Sequence, residues 1–130
     1  MYKTLLFDHY QNPRNKGGLN SPDFSSQRAN PSCGDIVCFQ GKITLEIVTA
    51  IAFSGIGCVI SQATASLLSE YILNKPISQI SSLDKNFIEE LIGMQLGPLR
   101  LKCALLPLEA LQASLLPLLA TPLAKTESEK

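Results

Sequence analysis

The stretch Asn30-Pro31-Ser32-Cys33-Gly34-Asp35 places a thiol and a carboxylate two residues apart, on a chain stiffened by proline and released by glycine. Proline fixes its own φ and holds the residue before it extended, while glycine enters turn conformations closed to other residues. Asn-Pro followed by glycine is turn chemistry. Cys33 and Asp35 are therefore expected on an exposed loop, with both side chains free to face a common point. Two further cysteines lie in stretches of similar character, Gly55-Ile56-Gly57-Cys58 and Pro98-Leu99-Arg100-Leu101-Lys102-Cys103. Three thiols and one carboxylate (Cys33, Cys58, Cys103 and Asp35) are expected to converge on a metal ion or cluster.

Outward from that stretch, Asp35 to Phe53 is strand territory. Ile43, Leu45, Ile47, Thr49, Ile51 and Phe53 fall on one face, with Val48, Ala50 and Ala52 on the other. A hairpin turn fits at Gln40-Gly41-Lys42 or near Thr44-Leu45-Glu46, and the pattern leaves the register open. Upstream, residues 2–10 read as a short amphipathic helix with Leu5, Leu6 and Tyr10 inward. Residues 14–32, rich in Asn, Gly, Ser and Pro, read as a long irregular connection. Downstream, apolar and small residues from Cys58 to about Leu73 follow helical spacing. A second helix is expected from the N-cap Asp84 to Leu96, burying Phe87, Ile88, Leu91 and Ile92 and stopped by Gly97-Pro98. A third begins near Cys103, with Pro107 tolerated in its first turn. The order helix, strands, helices argues an α+β fold, a small antiparallel sheet with helices on one side. Residues 1–120 are expected to form one domain and 121–130 a disordered tail.

Composition narrows the function classes. The 130 residues are 45% apolar but only 6% aromatic, so the core is aliphatic. Eleven basic and 11 acidic residues cancel, announcing no basic face and arguing against a nucleic-acid partner. The segment after Met1 has no apolar core of the signal-peptide kind, which fits a reducing, cytoplasmic home. There the four cysteines serve metal binding or thiol chemistry better than two disulfides. The apolar run from Cys103 to Ala124 is broken by Pro107, Pro117 and Pro122 and reads as a helix plus tail, not a membrane span.

Each thiol has a plainer alternative. Cys58 follows Gly-x-Gly at a helix start, where unpaired N–H groups favour an anionic sulfur, yet it equally suits a small buried hydrophobe. Cys103 opens a helix beside Arg100 and Lys102, with the same two readings. Cys38 alternates with Val37 and Phe39 in a strand and reads as core. The C-x4-C spacing of Cys33 and Cys38 starts a zinc or ferredoxin pattern that no later Cys or His pair completes. His9, the only histidine, reads as solvated or capping rather than ligating. A tetrahedral site must then use three thiolates plus Asp35, or leave its fourth position open. A carboxylate oxygen is a harder partner for iron than a thiolate, which suits a carrier that releases its cluster.

At these residues the chain resembles the IscU/NifU/SufU family of iron–sulfur cluster assembly scaffolds, most of all the N-terminal module of NifU-type proteins. The likeness runs through His9-Tyr10-Gln11-Asn12-Pro13-Arg14-Asn15-Lys16-Gly17, Asn30 to Asp35, Phe53 to Ala63, and Arg100 to Leu108, in that order. It implies a SufE/NifU-like α+β fold, with the cysteine loops at one end of a three-stranded sheet. It further implies Cys33, Asp35, Cys58 and Cys103 as the ligand set for a transient 2Fe-2S cluster. Sulfur would come from a cysteine desulfurase as persulfide, accepted first by Cys103 by analogy with IscU or by Cys33 by analogy with SufU. An iron donor and recipient apo iron–sulfur proteins complete the implied partners. Lys102 stands where IscU proteins have histidine, as in SufU-like members. That departure motivates the alternative of a zinc-bound, persulfide-accepting sulfurtransferase. The long insertion of SufU proteins between their second and third cysteines is absent. Leu96-Gly97-Pro98-Leu99-Arg100 lacks the first proline of the IscU chaperone-binding segment, which weakens the case for a chaperone partner.

Overall fold

The computed structural model describes residues 2–31 and 34–120. Eight elements follow one another: α1 (Tyr2–Gln11), β1 (Phe24–Asn30), β2 (Asp35–Thr44), β3 (Ile47–Ile56), α2 (Val59–Ile72), α3 (Ile77–Ser81), α4 (Lys85–Ile92) and α5 (Pro98–Ala120). The strands form one antiparallel sheet in the order β1-β2-β3. α5 packs against β1 and β2, α2 against β3 and β2, and α1 lies on α2. This is the expected α+β architecture, one sheet with helices on one face.

The β2–β3 hairpin turns at Leu45-Glu46, whose φ values of 53° and 64° are consecutive and positive. That handedness matches the twist of the flanking strands in a two-residue hairpin. Gly41 is not a turn residue. It sits within β2 opposite Phe24, and a Cβ there would collide with the Phe24 ring. The glycine makes room for an aromatic lid on the sheet.

Strict alternation along β3 does not hold either. Lys42 pairs with Ala50 but Ile43 with Val48, so Thr49 is an extra, exposed residue. Such a bulge shifts the phase of the pleat. Val48 on one side of it and Ile51 and Phe53 on the other can therefore all face the core.

β1 lies inside the segment expected to be irregular. Ser25, Gln27, Arg28 and Ala29 are exposed and only Phe24 is buried, so this edge strand carries no apolar alternation to announce it. The opposite edge, along β3, is covered by the chain after α1. Phe53 N–H donates to Asn15 C=O (2.9 Å) and Gly17 N–H to Phe53 C=O (2.8 Å).

The helices depart from expectation at their ends. α4 has Asp84 as N-cap, its side chain accepting from Phe87 N–H at 3.0 Å, but stops at Gly93 in the left-handed region, not at Leu96. Of its expected core residues, Ile88 and Ile92 are fully buried while Phe87 and Leu91 are half-buried. α5 begins at Pro98, the favoured residue for a first helical position. Cys103 therefore lies in its second turn instead of opening it. Pro107, not in the first turn but well inside the helix, withholds an amide from the ladder, as does Pro117. By length and composition α5 could cross a membrane, yet it buries Ala104, Leu106, Leu108, Ala110, Leu111 and Leu115 within this fold. The short α3 was not anticipated. Gln112 of α5 holds its end, donating to the carbonyls of Ile80, Ser81 and Leu83 at 2.8–3.3 Å.

On α1, Leu6 is buried whereas Leu5 and Tyr10 are exposed, because the helix turns a different face inward. His9 shares that face and is only 3% exposed, so it is not the solvated residue its polar neighbours implied. Its Nδ1 lies 2.8 Å from Ser66 Oγ, which also accepts from Arg14 N–H at 2.8 Å. Its Nε2 lies 3.7 Å from Glu70.

Burial, and then the nearby Arg14, lower the His9 pKa from 6.5, against smaller opposing effects of Glu70 and Asp8. The folded state thus binds fewer protons than the unfolded one, and stability falls as pH drops below about 6.5. Urea titrations should show stability falling as pH is lowered through this range, with a slope below the about 1.4 kcal/mol per pH unit that uptake of one whole proton would give. His9→Gln should flatten that limb.

Candidate metal centre

The antiparallel register brings the start of β2 beside the end of β3, with Ile36 paired to Ile56. Asp35 therefore stands next to the Gly57-Cys58 corner. On β2 the residues Asp35, Val37, Phe39 and Gly41 point inward, so the carboxylate faces the helices and is 1% exposed.

Cys58 is the N-cap of α2, with φ −75° and ψ 167°, and its sulfur accepts the Ser61 N–H at 3.5 Å. A sulfur here takes the place of the oxygen that usually satisfies an orphan helix amide. The Cys58 N–H donates to Asp35 Oδ1 at 3.0 Å, and the Cys58 thiol donates to Asp35 Oδ2 at 3.4 Å. Cys58 is exposed and Cys103, on α5, half-buried.

The two sulfurs and an Asp35 oxygen lie within 4.8 Å of one another. Two thiolates on one tetrahedral zinc ion, at bonds of about 2.3 Å, stand roughly 3.8 Å apart. The donor set therefore fits a thiophilic ion after small adjustment. Among the described residues, this is the one group of three or more such side chains close enough to share an ion.

Gly57 is a condition of this geometry. Its φ is 153°, and a Cβ there would stand 2.5 Å from Asp35 Oδ1 and 2.9 Å from Ser61 Oγ. No other residue leaves the carboxylate where it is.

Cys33 lies outside the described residues. The chain on either side is closed by Gly34 N–H donating to Asn30 C=O at 2.8 Å, immediately before Asp35. Lys102 is exposed on α5. Cys38 is not in the core. It is half-buried on the outer sheet face, opposite to Asp35, with its thiol donating to Gln27 Oε1 at 3.1 Å. Ser61 and Gln62, buried under Cys58, were not singled out from the sequence.

The fold and the site together define an α+β domain that gathers two thiols and a buried carboxylate at one end of its sheet, a donor set suited to a metal ion. The sequence profile described as "NifU-like N terminal domain" matches residues 1–122, and the chain belongs to that family. It is 36% identical over 129 residues to the "Zinc-dependent sulfurtransferase SufU" of Bacillus subtilis (strain 168), covering 86% of this chain and 87% of that protein. It is 35% identical over 117 residues to the "Iron-sulfur cluster assembly scaffold protein IscU" of Aquifex aeolicus (strain VF5), covering 88% and 73%. Among solved structures, a putative SUF-system cluster assembly scaffold from Fervidobacterium islandicum AW-1 shares the fold. Its TM-score is 0.72 at 24% identity, over 85% of this chain and 93% of that one.

Gly57→Ala tests the centre. It should cost about 1–3 kcal/mol of stability, and the displaced Asp35 should weaken zinc binding by at least about tenfold. Competition with a chromophoric chelator measures the second effect.

Proposed function

We propose that this chain is a scaffold on which an iron–sulfur cluster is assembled transiently, from iron and desulfurase-derived sulfur, and then passed to apo-proteins. One observation carries the reading: two thiols from different elements meet a buried carboxylate at an exposed mouth. Cys33, Asp35, Cys58 and Cys103 are the proposed ligands, and the cluster is cargo. A thiolate, Cys103 or Cys33, attacks the terminal sulfur of the partner's persulfide. That S–S bond breaks, the partner leaves as a thiolate, and the sulfur remains here as a new persulfide. The protein acts as a carrier rather than as an enzyme on a small substrate, in a reducing compartment such as the cytoplasm. Its partners are a cysteine desulfurase, an iron donor and recipient proteins. Asp35 supplies the weaker, harder ligand that eases release.

Anaerobic reconstitution with iron, sulfide and a desulfurase should give the visible absorption of a 2Fe-2S centre. Asp35→Ala should lengthen the lifetime of that absorption several-fold in the presence of a chelator. Faster loss than in the parent protein would remove Asp35 from this role.

A second reading has its own support, the 36% identity to the zinc-dependent sulfurtransferase together with Lys102. In it the centre holds zinc and relays sulfur without building a cluster. Metal and sulfide analysis of protein purified without air separates the two. Stoichiometric zinc, no sulfide and stimulation of a desulfurase select the relay. Bound iron with acid-labile sulfide selects the scaffold.

A further inference from the structure

Beneath the thiol corner, the first turn of α2 buries two polar side chains. Ser61 is fully buried and Gln62 is 7% exposed. The Ser61 hydroxyl donates to the Cys58 carbonyl at 3.3 Å and accepts from Gln62 Nε2 at 3.2 Å. The backbone amides of the same two residues donate to Cys58 Sγ and to the Cys58 carbonyl, at 3.5 and 3.2 Å. Side chains and backbone together clamp Cys58 from below.

The hydroxyl has one proton and gives it to the carbonyl, so towards Gln62 it can only accept. In this arrangement Gln62 Nε2 faces Ser61 and Oε1 faces away. Oε1 is then buried with no hydrogen-bond partner among the described residues. An unpaired buried carbonyl is unfavourable, and a leucine of similar size would remove that penalty. A leucine would also have space, since Gln62 lines a cavity of about 280 Å³ beside Tyr10, Pro13 and Lys16. The empty fold is therefore better served by an apolar residue than by Gln62.

We infer that Gln62 is a positioning residue for the metal centre, bracing Cys58 through the Ser61 hydroxyl at a cost to the stability of the metal-free protein. The inference rests on the reading of Asp35, Cys58 and Cys103 as a metal centre. Ligand orientation by hydrogen bonds behind the ligands typically changes metal affinity by about 10–100-fold. Gln62 stands one hydrogen bond further back, through Ser61, so the low end of that range is expected.

The test is anaerobic titration of the full chain with Co²⁺, followed through thiolate-to-metal and d–d absorption, with thermal melts of the metal-free protein. Gln62→Leu should weaken Co²⁺ binding about tenfold and shift the d–d bands. It should also raise the metal-free Tm by roughly 2–8 °C. Ser61→Ala should weaken binding to a similar degree. The double variant should bind no more weakly than the weaker single one, because both act through one brace.

Unchanged affinity and spectrum in Gln62→Leu would overturn the inference. So would weaker binding accompanied by a lower metal-free Tm, since affinity would then follow lost stability. Multiplying losses in the double variant would also overturn it. If the parent protein itself shows no saturable Co²⁺–thiolate absorption, the metal-centre reading fails, an outcome distinct from failure of the brace alone.

Discussion

The hydrogen bond from the Cys58 amide to the buried Asp35 carboxylate is the contact on which the rest of the site depends. A carboxylate only 1% exposed needs compensation, because removing it from water is expensive unless donors or cations replace the lost solvation. Here one oxygen takes a backbone N–H and the other the Cys58 thiol. These two donors belong to one residue, held at the cap of α2. The strand register puts that cap beside Asp35, and the missing side chain of Gly57 lets it approach. Sheet topology, helix cap and site are therefore one arrangement described at three scales.

Much of this was legible in the sequence because the signals were local. Gly-Ile-Gly-Cys before an apolar helical run reads as a strand end, a close backbone approach and a helix start. Asp84 reads as a cap because its carboxylate has only its own helix to serve. What failed to read was set by partners distant in sequence. Gly41 resembles a turn residue until Phe24 is placed over it, 17 positions upstream. β1 shows no alternation because its outer residues face water on an edge strand. Thr49 breaks the β3 pattern by bulging, which no pairwise count of apolar residues can show.

His9 illustrates the same divide. Its neighbours Asp8, Tyr10 and Gln11 are polar, so local sequence puts it in solvent. The side chain is nonetheless buried, since Ser66, 57 positions away on α2, supplies the hydrogen-bonding partner that makes burial tolerable. The small residues of α2 allow this: Ala63, Ala65, Ser66 and Ser69 are all buried and let α1 and the following segment lie close. Ser69 continues the seam, accepting from Asn15 Nδ2 at 3.0 Å while its hydroxyl, which donates to the Ser66 carbonyl at 2.7 Å, lies 3.2 Å from the Arg14 carbonyl. The Asn-Pro-Arg-Asn stretch that follows α1 is thus the seam that fastens this layer to α2 and to the edge of β3.

The three located donors differ in exposure in a way that bears on their chemistry. Asp35 is buried, Cys103 half-buried and Cys58 exposed, so anything approaching from solvent meets sulfur before oxygen. The carboxylate lies at the floor, on a strand, fixed by a backbone amide. Cys58, at its helix end, stands at the mouth. That asymmetry follows from Asp35 sitting on the inward face of β2, and moving the acid one residue along the strand would turn it to the outer face beside Cys38, away from both thiols.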